Sequence, residues 1–127
     1  MDYVAVIIAA LAYFVLGMVW YSRAVFGKMW MEFTGMKEVT ASGSSMVLGL
    51  FAALIMSLVL SMAMDIFVPE NLLAGAAVGV VMAIGFVLPT TLNLVLWERR
   101  PAGLYLLNSA YEVIALGMMG GIIAAMS

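Results

Sequence analysis

The stretch NLLAGAAVGVVMAIGFVLPTTLNLVLW, residues 71–97, contains no charged side chain. A bilayer core of ~30 Å is crossed by about 20 residues of helix rising 1.5 Å each, so this run alone can span once with some tilt. Outward from it, residues 39–64 and 3–22 are equally free of charge, and a fourth run from Leu104 to Met126 carries one charge, Glu112. The pattern predicts an all-α, polytopic membrane protein with four transmembrane helices over about 3–22, 45–64, 71–97 and 104–126, forming a single domain over residues 1–127. Composition points the same way: 67% of residues are hydrophobic and 9% charged, and the mean hydropathy is +1.21. Seven acidic and five basic side chains cannot give a soluble domain of this size a water-compatible surface.

Absent residue types narrow the chemistry further. Without Cys or His there is no disulfide framework, thiolate nucleophile, His-ligated haem, ordinary zinc site or Ser-His-Asp triad. No metal or cofactor is expected. The net charge of −2 includes no basic block, which argues against nucleic acid as a partner. The run after Met1-Asp2 lacks a basic n-region and a small-residue cleavage site, so it reads as a retained helix rather than a signal peptide.

The connections set orientation. Cytoplasmic loops near span ends carry an excess of Lys and Arg. Arg23, Lys28 and Lys37 fall in the first connection and Arg99 and Arg100 in the third, while Asp2, Asp65 and Glu70 fall on the opposite side. A cell-membrane protein with both termini outside the cytoplasm is expected. The first connection also holds Phe26, Met29, Trp30 and Phe33 at i, i+3, i+4 and i+7, the stripe of a short amphipathic helix lying in the interface over about 24–34. Trp20 and Tyr21 mark the same depth, and the first reading of Trp20, Tyr21, Phe26, Trp30 and Phe33 is an aromatic belt of interface anchors. A gate or a partner-docking helix is the alternative. Residues 40–45 supply hydroxyls suited to capping the second span.

Two features carry functional weight. Small residues recur at four-residue spacing, Gly75 with Gly79 and Gly117 with Gly121, the pattern of close helix packing in membranes. It serves either internal packing or, as the working expectation, a homo-oligomer or partner subunit. The sharper feature is Glu112, ~12 Å along the fourth helix from Leu104, where an ionised carboxylate is costly unless paired, protonated or wet. Tyr105, Asn108, Ser109 and Glu112 share one helix face. Thr90 and Asn93 lie at comparable depths beside Pro89, whose missing N–H frees a carbonyl, and Tyr13 can reach the same level. Beyond Glu112 the face continues as Leu116, Met119 and Gly120, which disfavours a continuous wet pore and favours a half-pocket open to one side. One reading makes Glu112, Asn108, Asn93, Thr90, Tyr105 and Ser109 a site for a proton, small cation or cationic ligand. The other makes them interhelical hydrogen bonds in a scaffold or accessory subunit.

Glu98-Arg99-Arg100-Pro101 reads as a positive-inside loop whose proline opens the fourth helix, with an anionic headgroup site as the alternative. The thirteen Met residues are scattered through apolar runs, which favours packing over copper ligation.

The motifs Leu16-Gly17-Met18-Val19-Trp20-Tyr21-Ser22, Phe26-Gly27-Lys28-Met29-Trp30-Met31 and Thr34-Gly35, with Arg100-Pro101, Leu104-Tyr105-Leu106-Leu107-Asn108, Tyr111 and Gly117, resemble the bacterial membrane-protein family called domain of unknown function 1761. The resemblance implies a small four-span protein and no assigned activity. The order Glu98-Arg99-Arg100, Asn108, Glu112 is also similar to the Arg, Asn and Glu set of small trimeric membrane enzymes that use glutathione. The spacing fits poorly, and five basic residues explained by topology leave little to hold an anionic tripeptide. An enzyme is therefore not expected.

Overall fold

The computed structural model describes residues 2–35 and 43–126. It is all-α. Helix α1 (Tyr3–Trp20) is followed by the short α2 (Gly27–Thr34) and the long α3 (Gly43–Phe67). The third apolar run is one continuous helix, Leu72–Leu96, made of α4 (Leu72–Met82), a π turn (Ala83–Val87) and α5 (Leu88–Leu96). Helix α6 (Ala102–Met126) closes the chain. Four helices, 3–20, 43–67, 72–96 and 102–126, are thus long and apolar enough to cross a membrane.

Local chemistry sets the ends. Asp2 accepts hydrogen bonds from Val4 N at 3.0 Å and Ala5 N at 3.2 Å, and Asn71 accepts from Ala74 N at 2.8 Å. Both side chains satisfy donors that a helix start leaves unpaired. Gly35, at φ 75°, ends α2 in the left-handed region that favours glycine. The turn between α1 and α2 is tight, and a Cβ on Gly27 would lie 2.6 Å from Tyr21 O. Of the hydroxyl run expected to cap the second span, residues 40–42 lie outside the described residues, as does Lys37.

The third helix is wide at its middle for a chemical reason. Pro89 cannot donate to the carbonyl four residues back and its ring crowds that carbonyl, so the turn opens and Leu88 N bonds Ala83 O instead. Hydroxyls cover the carbonyls around this opening. Thr90 donates to Phe86 O at 2.5 Å, Thr91 to Val87 O at 2.9 Å, and Tyr105 of α6 to Leu88 O at 3.0 Å.

Helix α6 is the centre of the bundle, packed against α1, α3 and α4. Its buried residues Leu116, Met119 and Ile123 form one cluster with Ala9, Leu60, Met64 and Ala83. Against α4 the approach is backbone to backbone: a Cβ on Gly79 would overlap Leu116 O, and one on Gly75 would lie 2.5 Å from Gly120 O. Gly117 faces Val80 and Gly121 faces Leu72. The faces bearing Gly75, Gly79, Gly117 and Gly121 are therefore occupied within the chain and do not form a free surface for a second copy. Helices α3 and α4 diverge from their shared turn, leaving an apolar groove of about 510 Å³ between Ile55, Leu60, Met82 and Phe86.

Candidate functional site

Where α1 meets α6, small residues on α1 make room for large polar ones on α6. Gly17 leaves space for the Tyr111 ring, whose hydroxyl would lie 2.9 Å from a Cβ there. That hydroxyl donates to Tyr13 O at 2.6 Å, fixing α1 against α6 one turn away from the next contact. There Tyr13 turns its own hydroxyl onto Glu112 Oε1 at 2.8 Å. Nearer the α2 end, the Tyr21 hydroxyl donates to Asn108 Oδ1 at 2.6 Å. Asn108, Tyr111 and Glu112 stand at i, i+3 and i+4 on α6, so one helix face carries all three contacts to α1.

Aromatic rings enclose this ladder. Tyr111 lies at the centre, with ring centroids 5.2 Å from Tyr13, 5.5 Å from Tyr21 and 5.9 Å from Trp20. Phe26 stacks on Trp20 at 4.5 Å. These tilted and edge-on pairs are the arrangements that ring quadrupoles favour. Trp20, Tyr21 and Phe26, read from sequence as interface anchors of an aromatic belt, turn at least partly into the protein. Phe33 of α2 sits over Gly103 at the start of α6, while Trp30 is half-buried on α2.

Three buried polar atoms have no hydrogen-bond partner among the described residues: Glu112 Oε2, Ser109 Oγ and Trp20 Nε1. All belong to this region or its rim. Buried polar groups are normally satisfied, and leaving one unpaired costs roughly 1–3 kcal/mol. Glu112 lies ten residues into α6, about 15 Å from its start.

The six residues grouped from sequence therefore separate. Ser109 is buried on α6, and Asn108 and Glu112 are half-buried beside it. Tyr105 instead ties α6 to the opened turn of the third helix. Thr90 and Asn93 are exposed on α5, and the Thr90 hydroxyl is committed to Phe86 O. The reason is the π turn, which holds about one residue more than an α turn and rotates the faces of α5 relative to a regular helix. In their place the structure brings Tyr13, Tyr21 and Tyr111. Tyr13 was legible from its depth. Tyr111 carried a readable signal in its spacing of three from Asn108, whereas the inward turn of Tyr21 follows from the tight α1–α2 connection, which helical periodicity does not describe.

The charged residues segregate by end. Arg23 and Lys28 beside α2, and Arg99 and Arg100 before α6, are all exposed. Arg100 meets Glu98 at 3.8 Å, an exposed pair of small energetic weight.

No curated protein and no solved structure matches the chain. The model of a family described as protein of unknown function, DUF1761, matches residues 4–124. That match runs from the first long helix into the last and takes in the whole Tyr13–Glu112 cluster, and the chain belongs to the DUF1761 family.

Proposed function

We propose that the cluster around Glu112 is an intramembrane binding site for a proton or small cation, serving a transport-like role. The observation that carries this reading is the asymmetry of one carboxyl group. Oε1 of Glu112 receives the Tyr13 hydroxyl, while Oε2 is buried without a partner among the described residues. A proton or cation at Oε2 removes the cost of that unpaired oxygen, and intramembrane carboxylates commonly mark such pathways. Ser109, one turn earlier on α6 and also unpartnered, offers a second oxygen. A larger organic cation is less suited, because the surrounding rings pack against one another. On the orientation expected from the basic residues, α2 and the nearer end of the cluster face the cytoplasm.

The second reading rests on the same Tyr13 contact. In it, Glu112 is a structural hydrogen bond of an accessory subunit, either self-associated through faces other than the α4–α6 seam or bound to a partner subunit. Flux separates the two. In liposomes the wild-type protein should carry a pH-dependent cation or proton flux, and Glu112→Gln, which keeps size and an acceptor for Tyr13, should abolish it without loss of fold. Flux retained in Glu112→Gln overturns the binding role of the carboxyl. Absence of flux in both forms supports the subunit reading.

A further inference from the structure

We propose that the Glu112 site exchanges its ligand with one side of the membrane only, the side where α2 lies, through an aromatic lid latched by the Tyr21–Asn108 hydrogen bond. The inference rests on Glu112 being a binding group and concerns its access.

Beyond Glu112, away from α2, the route meets an apolar core, which the α3-side groove reaches only from its flank, at Leu60 and Leu116. Leu116, Met119 and Ile123 of α6 are buried against Ala9 of α1 and against Leu60 and Met64 of α3. In the same half, the Ser57 hydroxyl is already committed to Val6 O at 2.7 Å. Opening this half means separating α6 from α1 or from α4, and the α4 seam is a direct backbone contact. Such interiors are close-packed and do not yield a water path by small side-chain motions.

Towards α2 the closure is of another kind. It consists of side chains at the end of α1 and in the turn after it: Trp20, Tyr21 and Phe26. One hydrogen bond of 2.6 Å, Tyr21 to Asn108, joins this group to α6 on the Glu112 face. The closed form also buries Trp20 Nε1 with no partner, a cost that opening relieves. Helix α2 braces the lid. Gly27 packs on the Tyr21 and Ser22 backbone at one end, and Phe33 rests on Gly103 at the other, so a shift of α2 on α6 moves the turn that carries the rings. The titratable groups around Glu112 are phenols, Tyr13 and Tyr21 from the α1 side and Tyr111 from α6, while Arg23 and Lys28 are exposed outside the lid.

The sequence contains no Cys, so accessibility can be read directly. Glu112→Cys, and in parallel Ser109→Cys, which keeps the carboxyl, are treated with a charged, membrane-impermeant thiol reagent on either face of sealed vesicles. Lys28→Cys marks the α2 face. Labelling is expected from the α2 face alone, slowly, and faster by about two- to tenfold when Tyr21→Phe or Asn108→Leu removes the latch, the ratio set by one hydrogen bond of ordinary net strength. Comparable labelling from the opposite face overturns the proposal, as does a rate unchanged in both latch variants. Should the latch variants not fold, the sidedness in the otherwise intact protein decides alone. One-sided labelling together with retained flux in Glu112→Gln leaves the lid standing and removes the ligand reading. Two-sided labelling with flux lost does the reverse.

Discussion

Tyr13 and Glu112 are 99 residues apart in sequence and share a hydrogen bond of 2.8 Å. Between membrane helices such a bond contributes on average ~0.6 kcal/mol, because the separated helices also find partners. Deleting the donor alone leaves a buried carboxyl with neither oxygen satisfied, and the loss then moves towards ~1–3 kcal/mol. Tyr13→Phe should therefore lower thermal stability in detergent. Combined with Glu112→Leu it should cost less than the two single losses added, since the bond can be removed only once. Strict additivity in that cycle would show that the two side chains do not interact. At this scale Glu112 was legible because it is the single charge in a long apolar run, and Tyr13 because its depth matches. Thr90 and Asn93, grouped with Glu112 from sequence, are exposed on α5, because the extra residue in the π turn changes which face of α5 meets α6, and a regular period cannot show it. Trp20 and Tyr21 were read by composition as interface anchors, a rule that locates depth and leaves facing open.

At the scale of elements, the small residues explain why α6 is central. With little hydrophobic drive between helices in lipid, close backbone approach supplies the van der Waals contact, and Gly75 and Gly79 bring α4 onto Gly117, Gly120 and Gly121. Two glycines of the same span make opposite predictions. Gly79→Ala places a methyl on the Leu116 carbonyl and should destabilise the fold measurably, whereas Gly85→Ala meets nothing within 4 Å and should be neutral or mildly stabilising. Thermal unfolding of the two variants checks this, and equal melting temperatures would remove the seam from the account. The four spans were legible to within a few residues at each end, the largest miss being the second, read as 45–64, which runs on through Asp65 to Phe67. The third span's boundaries, 71–97 from sequence and 72–96 in the structure, differ only by the capping residues, Asn71 at one end and Trp97 at the other. The small-residue spacing identified packing faces without saying which helix fills them, and the structure shows that the chain fills its own.

For the whole molecule, the arrangement is asymmetric along the membrane normal. One half is an apolar core. The other holds the phenols, the amide and the carboxyl, with exposed basic residues beyond them. That asymmetry was written in the sequence as polar spacing on the fourth run and its loss after Glu112. The enclosure of the polar half by aromatic rings was not, because it depends on a six-residue connection folding back between α1 and α2. The proposed binding of a proton or small cation at Glu112 is reversible and takes place within the membrane. Infrared difference spectroscopy of the reconstituted protein, comparing wild type with Glu112→Gln as pH and cation concentration are varied, addresses that group directly. A reversible carboxyl signal is expected in the wild type and is missing from Glu112→Gln. Identical difference spectra for the two proteins across the range in which both stay folded would contradict it and leave Glu112 a fixed structural bond.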